Sequence, residues 1–234
     1  FVMKTTLVIG GKTGIGSVVV ESLRKRGDLV YTASRASSED QNHITCDLKK
    51  DCKNIFKDIE SLDYLIFTHR YRGDDWKEAF EVTVEGVNSV IKDAIPKFKK
   101  GGSVVVISSN ASHFVLDEQP AEYHSSRAAL EGLVRYLAVR YGEKGIRFNS
   151  ILPSTLIKPE NKDFFIEGNE VKKMIERITP LGRIGEATDI SNLIEFLCSK
   201  KSSFITGNSF FVDGGLSLVG QETIARDLKG LKHK

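Results

Sequence analysis

The sequence predicts an α/β fold: a single-domain, Rossmann-like, doubly wound parallel sheet with helices on both faces, spanning residues 1–234. Three observations carry this. Short apolar runs alternate with amphipathic stretches of helical period. The short runs are rich in Val and Ile and show no polar face, as strands covered on both sides do. A glycine loop from Gly10 to Gly16 stands between the first run and the first amphipathic stretch.

The elements follow in order. Thr5 to Ile9 reads as the first buried strand, and Gly14 to Arg26 as a helix with Val18, Val19 and Leu23 inward and Gly27 as its stop. Leu29 to Ala33 is the second strand and His43 to Cys46 a short third. Tyr64 to Phe67, Ser103 to Ile107 and Ile146 to Ile151 are further strands. Long helices fit Trp76 to Phe98 and Glu122 to Glu143; a late helix fits Thr188 to Ser199 and a last strand Ser209 to Val212. No repeat or linker divides the chain. Only Ala36 to Asn42 separates the second strand from the third. A parallel crossover normally takes a dozen or more residues, so the helix usual there is reduced to a turn.

Composition narrows the partners. The formal charge is +3, a balanced surface that favours no nucleic acid, and the basic stretch Lys229 to Lys234 reads as a solvated tail. No apolar run reaches membrane-spanning length. The cysteines are Cys46, Cys52 and Cys198; an odd count without a CxxC pair points to a reducing, cytoplasmic setting and to no metal site. Phe1 and Val2 precede Met3 and read as a remnant outside the fold, without the pattern of a secretory leader.

The loop has the spacing G-x-x-x-G-x-G at Gly10, Gly14 and Gly16, with Lys12, Thr13 and Ile15 between. Glycines let the backbone turn tightly and approach a pyrophosphate, while the following helix N-terminus offers free N–H groups. The end of the second strand discriminates between cofactors. An acid there would take a ribose 2′-hydroxyl; here Ser34 and Arg35 stand instead, and a guanidinium suits a 2′-phosphate. NADP(H) is favoured, with NAD(H) as the alternative.

Tyr123 and Arg127 are four residues apart, and so share a helix face. A tyrosine hydroxyl titrates near ~10 in the absence of neighbours, and a nearby cation stabilises its phenolate. The pair therefore has the geometry of a proton-transfer site, with Ser109, after the strand Ser103 to Ile107, as a partner for the substrate oxygen. His113 lies in the loop between Ser109 and Tyr123; a lone histidine there is more often a packed or surface residue than a substrate contact.

Taken together these motifs resemble the short-chain dehydrogenase/reductase family, and the likeness spans nearly the whole chain. Gly145 to Ser154 is similar to the family's IRVN-x-x-x-PG segment, and Gly207 with Val212 to Gly215 to its late ITG and VDGG segments. The resemblance implies Ser109, Tyr123 and Arg127 as the catalytic group, with Arg127 also on the cofactor ribose. It implies Asp47 and Leu48 at the adenine, Pro153 beside the cofactor, and a substrate lid within 154–179. It implies a small-molecule substrate and a homodimer or homotetramer. The apolar residues Phe80, Val84, Val87, Ile91 and Phe98 on one long helix and Leu130, Leu133, Val134 and Leu137 on the other would face the partner subunit.

Several positions depart from the family pattern. Arg127 replaces its lysine, Thr83 its active-site asparagine, and Phe67, Thr68, His69 and Arg70 its NNAG segment. Lys158 stands where a threonine often contacts the carboxamide, and Ser154 where a glycine follows the proline. The implied function is an NADP(H)-preferring oxidoreductase that interconverts a small carbonyl, with an anionic part, and a secondary alcohol. The alternative is a catalytically impaired cofactor-binding or scaffold protein. Binding of nucleic acid through the basic tail is a weaker third.

Overall fold

In the computed structural model, which describes residues 3–50, 52 and 54–231, seven parallel strands form one sheet. Phe1, Val2 and the tail residues Lys232, His233 and Lys234 lie outside the described residues. The strands are β1 (Thr5–Ile9), β2 (Leu29–Ser34), β3 (His43–Thr45), β4 (Leu62–Phe67), β5 (Phe98–Ile107), β6 (Arg147–Pro153) and, after two short strands described below, β9 (Ser209–Val212). Their spatial order is β3-β2-β1-β4-β5-β6-β9. The order reverses between β1 and β4, and ligands of such sheets bind outside the strand ends at that reversal.

Period-two alternation assigns the strand side chains to two cores. Leu7 and Ile9 of β1, with Leu65 and Phe67 of β4, point to one face; Val8, Tyr64 and Ile66 point to the other. The first face is covered by α3 (Gly86–Ala94), which follows α2 (Trp76–Phe80), and by α4 (Ala121–Tyr141), through Val87, Ile91, Leu130, Val134 and Leu137. The second is covered by α1 (Gly14–Lys25) and α6 (Ala187–Leu197), through Val19, Leu23, Ile190 and Ile194. The central strands are buried on both faces, which is why they read as apolar runs.

The residues between β2 and β3 form bends and a turn with no helix, as the short spacing demands. Among the elements that the periodicity left unassigned are α5 (Glu170–Ile178) and α7 (Gln221–Leu228), both short and rich in charge, and a two-stranded pairing of β7 (Leu156–Ile157) with β8 (Gly185–Glu186).

Four sequence expectations are corrected. The helix expected over Trp76 to Phe98 is interrupted by a π-helical segment, Glu81–Glu85, centred on Thr83; it ends in a 3₁₀ turn, and Phe98 opens β5. Strand β5 consequently begins five residues before Ser103, because Gly101 takes a φ of +88° and lets the chain run on into the sheet. Most apolar residues assigned to a subunit interface are spent within the chain: Val87, Ile91, Leu130, Val134 and Leu137 are buried in its own core, and Phe80, Val84 and Leu133 are only partly exposed. The exposed large apolar residues of α4 are Tyr136 and Val139 instead. Finally, Cys46 and Cys52 form a disulfide across the turn after β3, leaving buried Cys198 as the free thiol. The odd count arises from one bridge plus one core residue, so it gives no ground for a reducing compartment.

Candidate active site

The carboxyl ends of β1, β2, β4, β5 and β6 open onto a cleft of about 800 Å³. Of the residues singled out in the sequence, Gly10, Thr13, Gly14, Ile15, Ser34, Arg35, Asp47, Leu48, Ser109, Tyr123, Arg127 and Pro153 line it. Two do not. Lys12 turns away and donates through Nζ to the Ser37 carbonyl at 2.7 Å. Gly16 packs behind the loop, where a Cβ would stand 2.2 Å from the Gly10 carbonyl oxygen and 2.5 Å from Thr68 Oγ1. Its role is to let α1 close against β4, and any side chain there displaces the loop.

Gly10 has a φ of +87°, and a side chain on it would strike the His69 backbone nitrogen at 2.6 Å. Thr13 caps α1 without a side-chain hydrogen bond, so the first amide groups of that helix are left for another acceptor. The carboxylate of Glu160, from the segment after β6, lies over this loop: a Cβ on Gly14 would meet it at 2.9 Å. Ser154, Thr155, Leu156, Lys158, Glu160 and Asn161 of the expected lid line the cleft, whereas α5 does not.

Tyr123 stands in the first turn of α4, and Arg127 one turn further in, where it is only 3% exposed. Arg127 donates through Nη1 to the Ile107 carbonyl at 3.0 Å, at the end of β5, and its guanidinium carbon lies 5.2 Å from the Tyr123 ring centroid. Its Nε is buried with no partner. Among the described residues no carboxylate forms an ion pair with it. Burial pushes this guanidinium down from its ordinary range, with Arg70 adding to that pressure and Tyr123 opposing it. Ser109 is buried at the end of β5, and its hydroxyl accepts from the Ala111 amide at 3.1 Å.

The segment after β4 supplies two residues that pattern reading did not place in the chemistry. His69 packs edge-on to Phe67 and donates through Nε2 to the Val82 carbonyl at 3.2 Å, inside the π-helical segment. Its Nδ1 is buried without a partner. The residue is partly exposed, but Nδ1 is not, and burial, followed by the charge of Arg127, pushes its pKa down from 6.5 to about 3. His69 is therefore a neutral acceptor at working pH. The other residue is Arg70, whose guanidinium carbon lies 4.6 Å from the Tyr123 ring centroid.

His113 lies outside the cleft. Its Nε2 pairs with Glu131 Oε2 at 3.1 Å, and its ring packs against Phe211 at 5.2 Å. That makes it a packing residue of the α4–β9 corner.

Burial of His69 makes stability depend on pH. Its folded-state pKa lies below the unfolded value, so unfolding takes up a proton between the two. The stability held by the neutral buried ring is complete above about pH 6.5 and is lost as pH falls toward 3. At about pH 5 the loss is on the order of 2 kcal/mol. Urea unfolding at about pH 7.5 and pH 5 should show a larger drop for the parent than for His69→Phe. Equal drops would count against it.

A model of the short-chain dehydrogenase/reductase type, described as Enoyl-(Acyl carrier protein) reductase, matches residues 67–217 of this chain, from the end of β4 to the turn after β9. The chain belongs to the short-chain dehydrogenase/reductase family. As a member it is an NAD(P)-dependent oxidoreductase. Senescence-associated protein 13 of Arabidopsis thaliana is 32% identical over 247 residues, covering 92% of this chain and 91% of that protein. An uncharacterized oxidoreductase of Schizosaccharomyces pombe is 30% identical over 247 residues, covering 96% and 95%. Among solved structures, aldohexose dehydrogenase of Thermoplasma acidophilum in ligand-free form superposes with a TM-score of 0.81 at 26% identity, covering 94% of this chain and 96% of that one.

The residues present suit a dinucleotide. An uncapped helix N-terminus and glycines at two points where a Cβ would clash line one cleft, and Arg127 and His69, which line it as well, carry a buried donor and acceptor without partners. Gly10, Thr13, Gly14 and Ile15 would hold the pyrophosphate, Asp47 and Leu48 the adenine, and Arg127 and Pro153 the nicotinamide end.

Proposed function

We propose that the protein interconverts a small, anionic carbonyl compound and the matching secondary alcohol, using NADP(H) in preference to NAD(H). The cofactor, when bound, supplies or accepts the hydride. Tyr123 gives the proton to the carbonyl oxygen, or takes it from the alcohol. Ser109 holds that oxygen. Arg127 keeps a fixed positive charge beside Tyr123 and anchors the ribose; it cannot pass a proton on, because a guanidinium does not readily give one up. The observation that carries the reading is the placement of the Tyr123 ring against the buried Arg127, which has no carboxylate partner among the described residues, within the cleft. The test is a panel of carbonyl compounds followed by NADPH consumption. Tight NADPH binding with no turnover of any carbonyl would favour the cofactor-binding scaffold instead, a reading to which arginine at the lysine position gives some support.

The NADP(H) preference rests on Arg35, which lines the cleft at the end of β2 beside Ser34 with no acid next to it. A charge-assisted contact to a 2′-phosphate stabilises binding by roughly 1.5–3 kcal/mol. Arg35→Asp should therefore reverse the ratio of NADPH to NADH affinity by about 10- to 100-fold in fluorescence titrations at fixed salt. Equal affinities for the two in the parent would sink the preference.

Self-association, as a homodimer or homotetramer, belongs to the same reading. Tyr136 and Val139 on α4 and Phe211 on the edge strand β9 are the exposed apolar side chains that support it. A monomeric mass by light scattering across micromolar concentrations would reject it. Cytoplasmic placement stays part of the reading on cofactor supply alone. Among the described residues no helix is long and apolar enough to cross a membrane.

A further inference from the structure

Two guanidinium groups stand against one tyrosine ring. Arg70 lies 4.6 Å and Arg127 5.2 Å from the Tyr123 centroid, measured from the guanidinium carbons. Among the described residues neither has a carboxylate within ion-pair distance, and Arg72, which lines the same cleft, has none either. Even an ionised Tyr123 would balance one of these charges, not two. Cations crowded at a reacting hydroxyl without a counter-ion repel each other and lower the local cost of bringing in an anion.

Arg127 and Arg70 are not equivalent. Arg127 is enclosed and spends Nη1 on the end of β5. Arg70 is exposed, and among the described residues its side chain makes one hydrogen bond, from Nη2 to Gln119 Oε1 at 2.6 Å. A guanidinium has five N–H donors in a planar fork that matches a carboxylate. Gln119 is neutral, so it fixes the fork over the ring without quenching its charge. The Tyr123 hydroxyl lies one ring radius and one C–O bond beyond the centroid that Arg70 covers. A carboxylate on Arg70 is thereby held close to a carbonyl on that hydroxyl.

We infer that Arg70 binds the carboxylate of the substrate and selects carbonyl compounds whose carboxylate is about one or two carbon atoms from the carbonyl, the 2-oxo and 3-oxo acids and their hydroxy-acid counterparts. The assignment rests on the oxidoreductase reading above and names the group that would make its substrate anionic. Gln119 is the positioning residue for the fork.

The experiment compares acids with their neutral amides on the full chain: phenylglyoxylate against phenylglyoxylamide, and acetoacetate against acetoacetamide. The parent, Arg70→Gln and Arg70→Lys are each measured for kcat and KM. Binding of oxamate, an unreactive carboxylate, to the NADPH-loaded protein is read by calorimetry. The parent should prefer the acid of at least one pair. Arg70→Gln should lower the acid-to-amide ratio of kcat/KM on the order of 100-fold, chiefly through KM, and weaken oxamate by a similar factor. Arg70→Lys should recover part of the ratio, since it keeps the charge but not the fork. Acids and amides falling together would mean that Arg70 only stacks on Tyr123, and would overturn the assignment. Amides turned over with no preference for acids in the parent would leave the oxidoreductase reading standing and remove Arg70 from it. No turnover of any carbonyl, with oxamate bound only when Arg70 is present, would keep the anion site and remove the reading. No turnover and no oxamate binding would remove both.

Discussion

Tyr123→Phe is expected to lower turnover by roughly 10²- to 10⁴-fold, the usual contribution of a positioned acid or base, while NADPH binds almost as before. The substitution removes one oxygen and keeps the ring. The ring is what Arg70 and Arg127 pack against, at 4.6 and 5.2 Å, so the cleft wall stays in place. The glycine loop and the open amides of α1, which would hold the pyrophosphate, are elsewhere in the cleft. The loss should appear in kcat, and the fluorescence titration of NADPH should barely move. A Tyr123→Phe variant as active as the parent would remove Tyr123 from the chemistry and leave the scaffold reading.

Arg127→Met should do the opposite to stability and function. A buried charge without a counter-ion costs several kcal/mol, and Arg127 is such a charge, 3% exposed with Nε unpartnered. Methionine fills similar space and removes that cost. It also frees the Ile107 carbonyl that Arg127 Nη1 now bonds, which returns roughly 1–3 kcal/mol of penalty. The balance favours the variant by about 1–2 kcal/mol, a rise in Tm of roughly 2–8 °C for a chain of this length. NADPH affinity and turnover should both fall, because the fixed charge beside Tyr123 is gone. Calorimetry with and without cofactor would check both sides. A variant less stable than the parent would mean that Arg127 holds the β5–α4 contact together and is structural. Arg127→Lys separates two histories of the site. Lysine cannot reach the Ile107 carbonyl and hold a second group in one plane. If the site is built around the guanidinium, Arg127→Lys should lower kcat; a rise would mean that arginine is a weakened lysine.

The legible part of the fold was its periodicity. Apolar runs gave the central strands β1, β2, β4, β5 and β6 because both faces of the sheet are covered there, and a covered strand has no polar side to blur its pattern; the two-residue strands β7 and β8 are too short to carry one. The π-helical segment at Glu81–Glu85 left no such trace, since one extra residue per turn does not change which residues are apolar. Helices α5 and α7 do carry a helical period, but α5 falls within the segment expected as a substrate lid and α7 in the charged stretch before the basic tail. The apolar faces of α3 and α4 were visible, but what they cover was not. A count of apolar residues cannot distinguish a sheet face from a partner subunit.

The sequence by itself determined the parallel α/β class, the glycine loop, the missing crossover helix between β2 and β3, and the Tyr123–Arg127 pair. Each depends on spacing along the chain: strand period, loop length, or one turn of helix. Only the tertiary structure decided the rest. It took Lys12 and Gly16 out of the cleft lining, joined Cys46 to Cys52, and brought Arg70 and His69 from the end of β4 to the Tyr123–Arg127 turn of α4. Those arrangements join residues far apart in the chain, or turn on which way a side chain leaves a loop. Residue order records neither, because both are set by how neighbouring strands and helices stack.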